Sequence, residues 1–222
     1  MTFSLAVLDG DAFGSLICSS SPAVGARCVH LRDGAGAVHS QNITDPRLGP
    51  RLLDLLQDGV SAPDALAEVV ADDATAPFRQ LVVVDSEGRT AIHTGPNALG
   101  IVGEHRVSGA AAAGNLLATP DVPRRLVEAW SASDGAIELR LLAALRAAID
   151  EGGEAGPVHS AAITVVSGHG WRTTDLRVDW SDDVLSAMTE LVELWLPQRE
   201  DYITRAEDPA HSPGYGVAGD DR

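Results

Sequence analysis

Residues 36–73 read GAVHSQNITDPRLGPRLLDLLQDGVSAPDALAEVVADD. Within this stretch the spacing of apolar residues changes from a period of two to one of 3.6. Residues 36–41 read as a short strand. From Pro50 onward, Leu52, Leu53, Leu55 and Leu56 fall on one helical face, and the pattern stops at Gly59, where a helix end is expected. A second helix opens at once, with Ser61 and Asp64 as capping candidates and Leu66, Val69 and Val70 turned toward a core. A strand followed by two successive helices breaks the strict β-α-β alternation of a doubly wound fold.

The flanking sequence repeats that grouping. Strands are expected at 3–8, 14–19 and 28–31. Asp33-Gly34 is a type I′ hairpin signal before the strand at 36–41. A two-residue turn there pairs Arg32 with Ala35, His30 with Ala37 and Cys28 with His39. Strands return at 80–85 and 90–93, joined by Ser86-Glu87-Gly88. An irregular glycine-rich stretch runs through Gly114-Asn115, followed by helices at 122–131 and 137–151, strands at 160–166 and 175–178, and an amphipathic helix at 184–195. Paired helices between blocks of hairpin-linked strands predict an α+β fold: two antiparallel sheets stacked face to face with helices on both outer faces, because each sheet needs both faces covered. One such four-layer α/β/β/α domain is expected over 1–208. A polar, disordered tail carrying Pro209 and Pro213 is expected over 209–222.

Composition removes several chemistries. The 222 residues carry 32 Asp+Glu against 16 Lys+Arg, a formal net charge of -16, and every one of those cations is arginine. Without lysine there is no P-loop, no pyridoxal Schiff base and no lysine general base. The net charge also opposes binding to nucleic acid. The apolar N-terminal run is cut by Asp9 and Asp11, and nothing approaches 18 consecutive apolar residues. A cytoplasmic protein with Cys18 and Cys28 reduced is therefore expected, away from membranes. The seven histidines lack any HExxH or facial-triad spacing, and no GxGxxG follows a strand, so no metal and no cofactor are called for.

Met1-Thr2 leads straight into the first strand. Aminopeptidases remove an initiator methionine before a small residue. Removal leaves Thr2 with its hydroxyl and a free α-amine on one residue, a nucleophile and a general base together. His39 and His93, each at the end of an expected strand, are candidates to line the same mouth; the alternative for His93 is a strand-edge cap. His39 opposite Cys28 would make a Cys-His dyad, against the plainer reading of a buried structural cysteine. Asn115 can donate an amide N–H to an oxyanion or serve as a left-handed turn residue.

A set of motifs in fixed order, MTFSLA (1–6), AVGAR (23–27), GAGAVHSQ (34–41), DPRLGPRLLDLLQDG (45–59), SAPDALA (61–67), VVVDSEGRTAIHTG (82–95), GNLLA (114–118), SAAITVV (160–166) and DLRVDWSDD (175–183), resembles the bacterial DUF1028 family. That family is grouped with the N-terminal nucleophile (Ntn) hydrolases. The resemblance implies the α/β/β/α sandwich with Thr2 in the mouth between the sheets. Proteasome-type relatives add an acid near the end of the second strand and a lysine on a following strand. Here the second strand ends in Cys18-Ser19-Ser20-Ser21, and the lysine's neighbourhood offers only Arg27 and Arg32, whose guanidinium groups release no proton at working pH. The base must then be the α-amine or a histidine.

The resulting expectation is an amidohydrolase acting on a small-molecule amide, ureide or similar C–N bond. Thr2, His39, His93 and Asn115 are its catalytic candidates, and Arg27, Ser20 and Gln41 its substrate-binding ones. The alternative is a catalytically silent sandwich used for binding or assembly. The oligomeric state is left open by the sequence; for a homo-oligomer, Leu191, Val192, Leu194 and Trp195 offer an apolar contact face.

Overall fold

The computed structural model describes residues 1–220. Strands β1 (Thr2–Asp9) and β2 (Ala12–Ser19) form a hairpin at the centre of a six-stranded sheet. On the β2 side it continues into β9 (Ser160–Val166) and β10 (Arg172–Val178), and on the β1 side into β8 (Ala110–Asn115) and β7 (Gly103–Val107). The second sheet runs β3 (Val29–Arg32), β4 (Gly36–Asn42), β5 (Arg79–Asp85) and β6 (Thr90–Thr94), antiparallel throughout.

Alternation along each strand sorts the layers. Phe3, Leu5 and Val7 point away from the other sheet, into a core with helices α4 (Val122–Ala132), α5 (Ile137–Asp150) and α6 (Val184–Trp195) through Leu126, Leu141, Leu145 and Met188. Val38, Leu81 and Val83 pack outward on α2 (Leu48–Gln57) and α3 (Ala62–Asp72) through Leu52, Leu56 and Val69. The inner faces meet through Ala6, Phe13, Ala37, Val82, Val84, Ala111 and Val166. These are the four layers α/β/β/α that the element order predicts. The capping expectation at Ser61 also holds, its Oγ accepting from the Asp64 N–H, and Asp183 caps α6 by accepting from the Ser186 N–H.

Three local readings need correction. The β3–β4 connection holds three residues, Asp33-Gly34-Ala35, with Gly34 at φ +68 and the Ala35 N–H returning to the Arg32 carbonyl. The register therefore pairs Arg32 with Gly36 and Val29 with His39, which breaks the expected Cys28–His39 pairing. Cys28 instead closes a helical turn, α1 (Gly25–Cys28), with its Sγ 3.4 Å from Thr44 Oγ1. The stretch read as irregular is the β7–β8 hairpin. Alanine and glycine are poor strand formers in isolation, but β8 lies between β1 and β7, with α4 on one face and β5 on the other, where small side chains fit. After α6 comes a further helix, α7 (Arg199–Glu207). Of the tail expected over 209–222, residues 209–220 contain neither helix nor strand, and 221–222 lie outside the described residues. Among the described residues no helix is long and apolar enough to cross a membrane.

Candidate active site at the head of the first strand

Thr2 is the first residue of β1 and pairs with Asn115 at the end of β8. Odd-numbered neighbours face the helices, so Thr2, Ser4 and Ala6 face the other sheet. Thr2 is 5% exposed, whereas Met1 is 38% exposed, so the Met1–Thr2 bond sits where the chain leaves the sandwich. The Met1 carbonyl accepts from Ser19 Oγ at 2.5 Å and from Thr2 Oγ1. Ser19 Oγ in turn accepts the Ser21 N–H at 3.0 Å, which folds the Ser19-Ser20-Ser21 corner around the N-terminus.

A carboxylate missing from the end of the second strand arrives from elsewhere. After α5, Gly152 (φ +112) and Gly153 (φ +58) turn the chain through conformations that side chains resist, and Glu154 forms a single antiparallel bridge with Leu117. Its carboxylate, 3% exposed, accepts the Ser20 N–H at 3.0 and 3.2 Å. Burial raises its pKa, while the Ser20 hydrogen bonds, the chain's α-amine and His159 pull the other way. Glu154 is thus a buried acid within electrostatic reach of the amine of Met1. The same Glu154 charge adds to burial in raising the pKa of Cys18, whose side chain belongs to the helix-side core and stays a neutral thiol.

Beside Thr2 the sheets are joined by amides. Gln80 Oε1 accepts from Gln41 Nε2 at 2.8 Å and from Asn115 Nδ2 at 3.0 Å. Gln80 Nε2 donates to the Gly114 carbonyl and to Thr94 Oγ1, both at 3.0 Å, and Gln41 Nε2 also reaches the Ala113 carbonyl. Buried acceptors left without a partner here are Gln41 Oε1 and Asn115 Oδ1, with the Ser4 hydroxyl also unpaired.

The structure separates the two histidine candidates from this mouth. His39 is fully buried between the sheets, with Nε2 2.7 Å from Ser15 Oγ and Nδ1 unpartnered. Ser15 pairs with Ala6, four residues along β1 from Thr2, or about 14 Å at roughly 3.4 Å per residue. Burial, helped by neighbouring His30, lowers the pKa of His39 to about 3, so at neutral pH its ring is an uncharged and very weak base. His93 shares a face with Leu81, toward α3, and its Nε2 lies 2.9 Å from the Ala76 carbonyl. It lines an outer groove with Leu66 and Val70, on the far side of the sheet from the mouth.

Of the substrate-side candidates, Ser20 sits at the corner beside Glu154, and Gln41 belongs to the amide group. The guanidinium of Arg27 is held by the Pro22 and Ala23 carbonyls at 2.6 and 3.0 Å. Ser19, Gln80 and Glu154 were not legible as site residues. The one available signal was the Gly152-Gly153 pair ahead of an acid.

The model of DUF1028, described as a family of unknown function, matches residues 2–188. Among solved structures, the crystal structure of protein SPO2555 from Silicibacter pomeroyi, itself carrying the DUF1028 model, is 30% identical, covers 92% of this chain and 94% of that chain, and superposes with a TM-score of 0.84. The crystal structure of eukaryotic HslV from Trypanosoma brucei is similar at 17% identity over 73% of this chain and 98% of that chain, with a TM-score of 0.46. Comparison with curated proteins found no significant match.

Proposed function

The chain belongs to the DUF1028 family, and from that membership and the geometry at the head of β1 we propose that it is an Ntn-type amidohydrolase using Thr2 as nucleophile once Met1 is removed. The observation that carries this reading is a buried threonine at the head of a central strand, with a buried carboxylate, Glu154, that holds the Ser20 N–H and lies within electrostatic reach of the amine of Met1, one residue before Thr2.

In the proposed reaction the Thr2 amine takes the Oγ1 proton as Oγ1 attacks the substrate carbonyl carbon. The oxyanion of the tetrahedral intermediate collapses, the C–N bond breaks, and the ammonium returns the proton to the departing nitrogen. Water then hydrolyses the Thr2 ester, with the amine again as base. Glu154 favours the protonated amine electrostatically and so stabilises the ammonium that forms during attack. Ser19 Oγ, released from the Met1 carbonyl, is free to orient the amine. Asn115, opposite Thr2, has a second amide N–H beyond the one given to Gln80 and is the side-chain candidate for the oxyanion. Ser20, Gln41 and Arg27 are assigned to substrate binding.

The substrate class proposed is a small amide or ureide. Two free, buried cysteines suit the reducing cytoplasm. Intact mass spectrometry of active protein, together with Thr2→Ala assayed on a panel of amides and ureides, tests the proposal. Loss of Met1 and loss of turnover in the variant are expected. Retained Met1 in active protein, or unchanged turnover in Thr2→Ala, overturns it. A chain that keeps Met1 and hydrolyses nothing would be a binding or assembly sandwich.

A further inference from the structure

Strand β7 ends the six-stranded sheet, and among the described residues its outer edge carries no hydrogen-bonded neighbour strand, though Thr90 Oγ1 of β6 donates to the Val107 carbonyl at 3.4 Å. Its sequence is Gly103-Glu104-His105-Arg106-Val107. Glu104 and Arg106 are exposed and lie on one face of the strand, the face shared with Ala113 and Ala111 of β8. Among the described residues neither is in an ion pair; Arg106 Nη1 donates to the Thr90 carbonyl of β6 at 2.9 Å. Beside them Ile101, Val102 and Val107 are 47%, 37% and 42% exposed.

The other sheet edges are differently furnished. On β10, Asp175 is paired with Arg172 at 2.8 Å, Arg177 with Asp179 at 3.4 Å, and the register is interrupted between Arg172 and Thr174. On β3, Arg32 is paired with Asp54, and the Val29 carbonyl accepts from Arg172. The β6 edge is crossed by the Arg106 side chain. Internal pairing, bulges and crossing side chains are the usual protections of an edge.

We propose that the free edge of β7 pairs antiparallel with β7 of a second copy, about a twofold axis through His105, joining the two six-stranded sheets into one. In that register Glu104 stands directly opposite Arg106 of the second copy, and Arg106 opposite its Glu104, so the symmetric pairing makes two cross-strand ion pairs at Cβ separations of about 5 Å. Val107 of each copy falls opposite Gly103 of the other, whose missing side chain leaves its own face to the Pro120 carbonyl and the Pro123 ring. Opposite signs two residues apart attract in this register, whereas a parallel pairing in the same alignment sets like charges side by side.

Sedimentation equilibrium of the full chain across the micromolar range tests the pairing. The wild type is expected to dimerise. Glu104→Arg and Arg106→Glu each turn both ion pairs into like-charge contacts, and each is expected to weaken the dimer at least about tenfold. The double swap Glu104→Arg/Arg106→Glu restores opposite charges and is expected to return the dimer to within about threefold of wild type, which a merely unfolded variant cannot do. A monomeric wild type, dimers that survive both single changes, or a double swap that stays dissociated would each overturn the assignment.

Discussion

His39 should make this protein sensitive to acid, and the size of the effect follows from its burial. The ring is enclosed between the sheets with its pKa lowered to about 3, against an ordinary value of 6.5 in the unfolded chain. Between those values the unfolded state binds a proton that the folded state refuses, so stability rises with pH across the window and is lost as pH falls through it. Each unit is worth about 1.4 kcal/mol, so by pH 4 this one group removes about 3 kcal/mol. That is a large share of the roughly 5–15 kcal/mol by which native proteins are stable. The perturbation is His39→Gln, which keeps a polar atom near Ser15 Oγ but cannot be protonated. Urea unfolding of both proteins at a series of pH values from 7 to 4 gives the assay, because contributions from all other groups cancel in the difference. The wild-type curve should fall about 3 kcal/mol further than that of the variant. Parallel curves, agreeing to within about 0.5 kcal/mol, would refute the reasoning and place an acid-accessible ring at that position.

Glu154 shifts the opposite way. Its carboxyl is raised by burial, so the folded state holds the proton to higher pH than the unfolded chain, and stability falls as pH rises through the folded pKa. Glu154→Gln should therefore be more stable than wild type at pH 7 to 8, lose that advantage below about pH 4, and lower any amide turnover. Equal thermal midpoints at pH 8, or full activity, would count against the role given to this residue. The buried Glu138, 0% exposed, accepts twice from Arg199 at 2.9 Å and once from Thr174 Oγ1 at 2.6 Å. Arg199→Ala leaves that charge with one partner and should cost about 3 kcal/mol, or about 6–12 °C in thermal midpoint. Adding Glu138→Gln should recover part of the loss, and a double variant no better than the single would show that the ion pair is not the source.

What could be read from residue order alone was whatever depends on local period. The alternation of β1, the leucines at 52, 53, 55 and 56 in α2, the Ser61 cap and the position of Thr2 at a strand head are all short-range properties, and together they imply the layered sandwich. Period two also says which residues of a strand share a face, but not which face meets the other sheet. Thus His93, one register step from a mouth-facing position, turned out to point at α3, and one extra residue in the Asp33-Gly34-Ala35 loop moved His39 away from Cys28. The alanines of β8 carry little strand preference of their own and are held by neighbours on both sides.

Glu154 shows the limit most plainly. It meets Ser20 across 134 residues of chain, through a glycine turn and a single bridge to Leu117. No spacing in the sequence encodes that meeting, because it results from how α5 packs on the sheet. The sequence by itself determined most of the elements, the layers and the nucleophile candidate, but not the β7–β8 hairpin or α7, since the former follow from local periodicity and side-chain chemistry. Only the tertiary structure decided which carboxylate is buried near the chain's N-terminus and which histidine is too deeply buried to take a proton, because desolvation and through-space charge depend on neighbours distant in sequence.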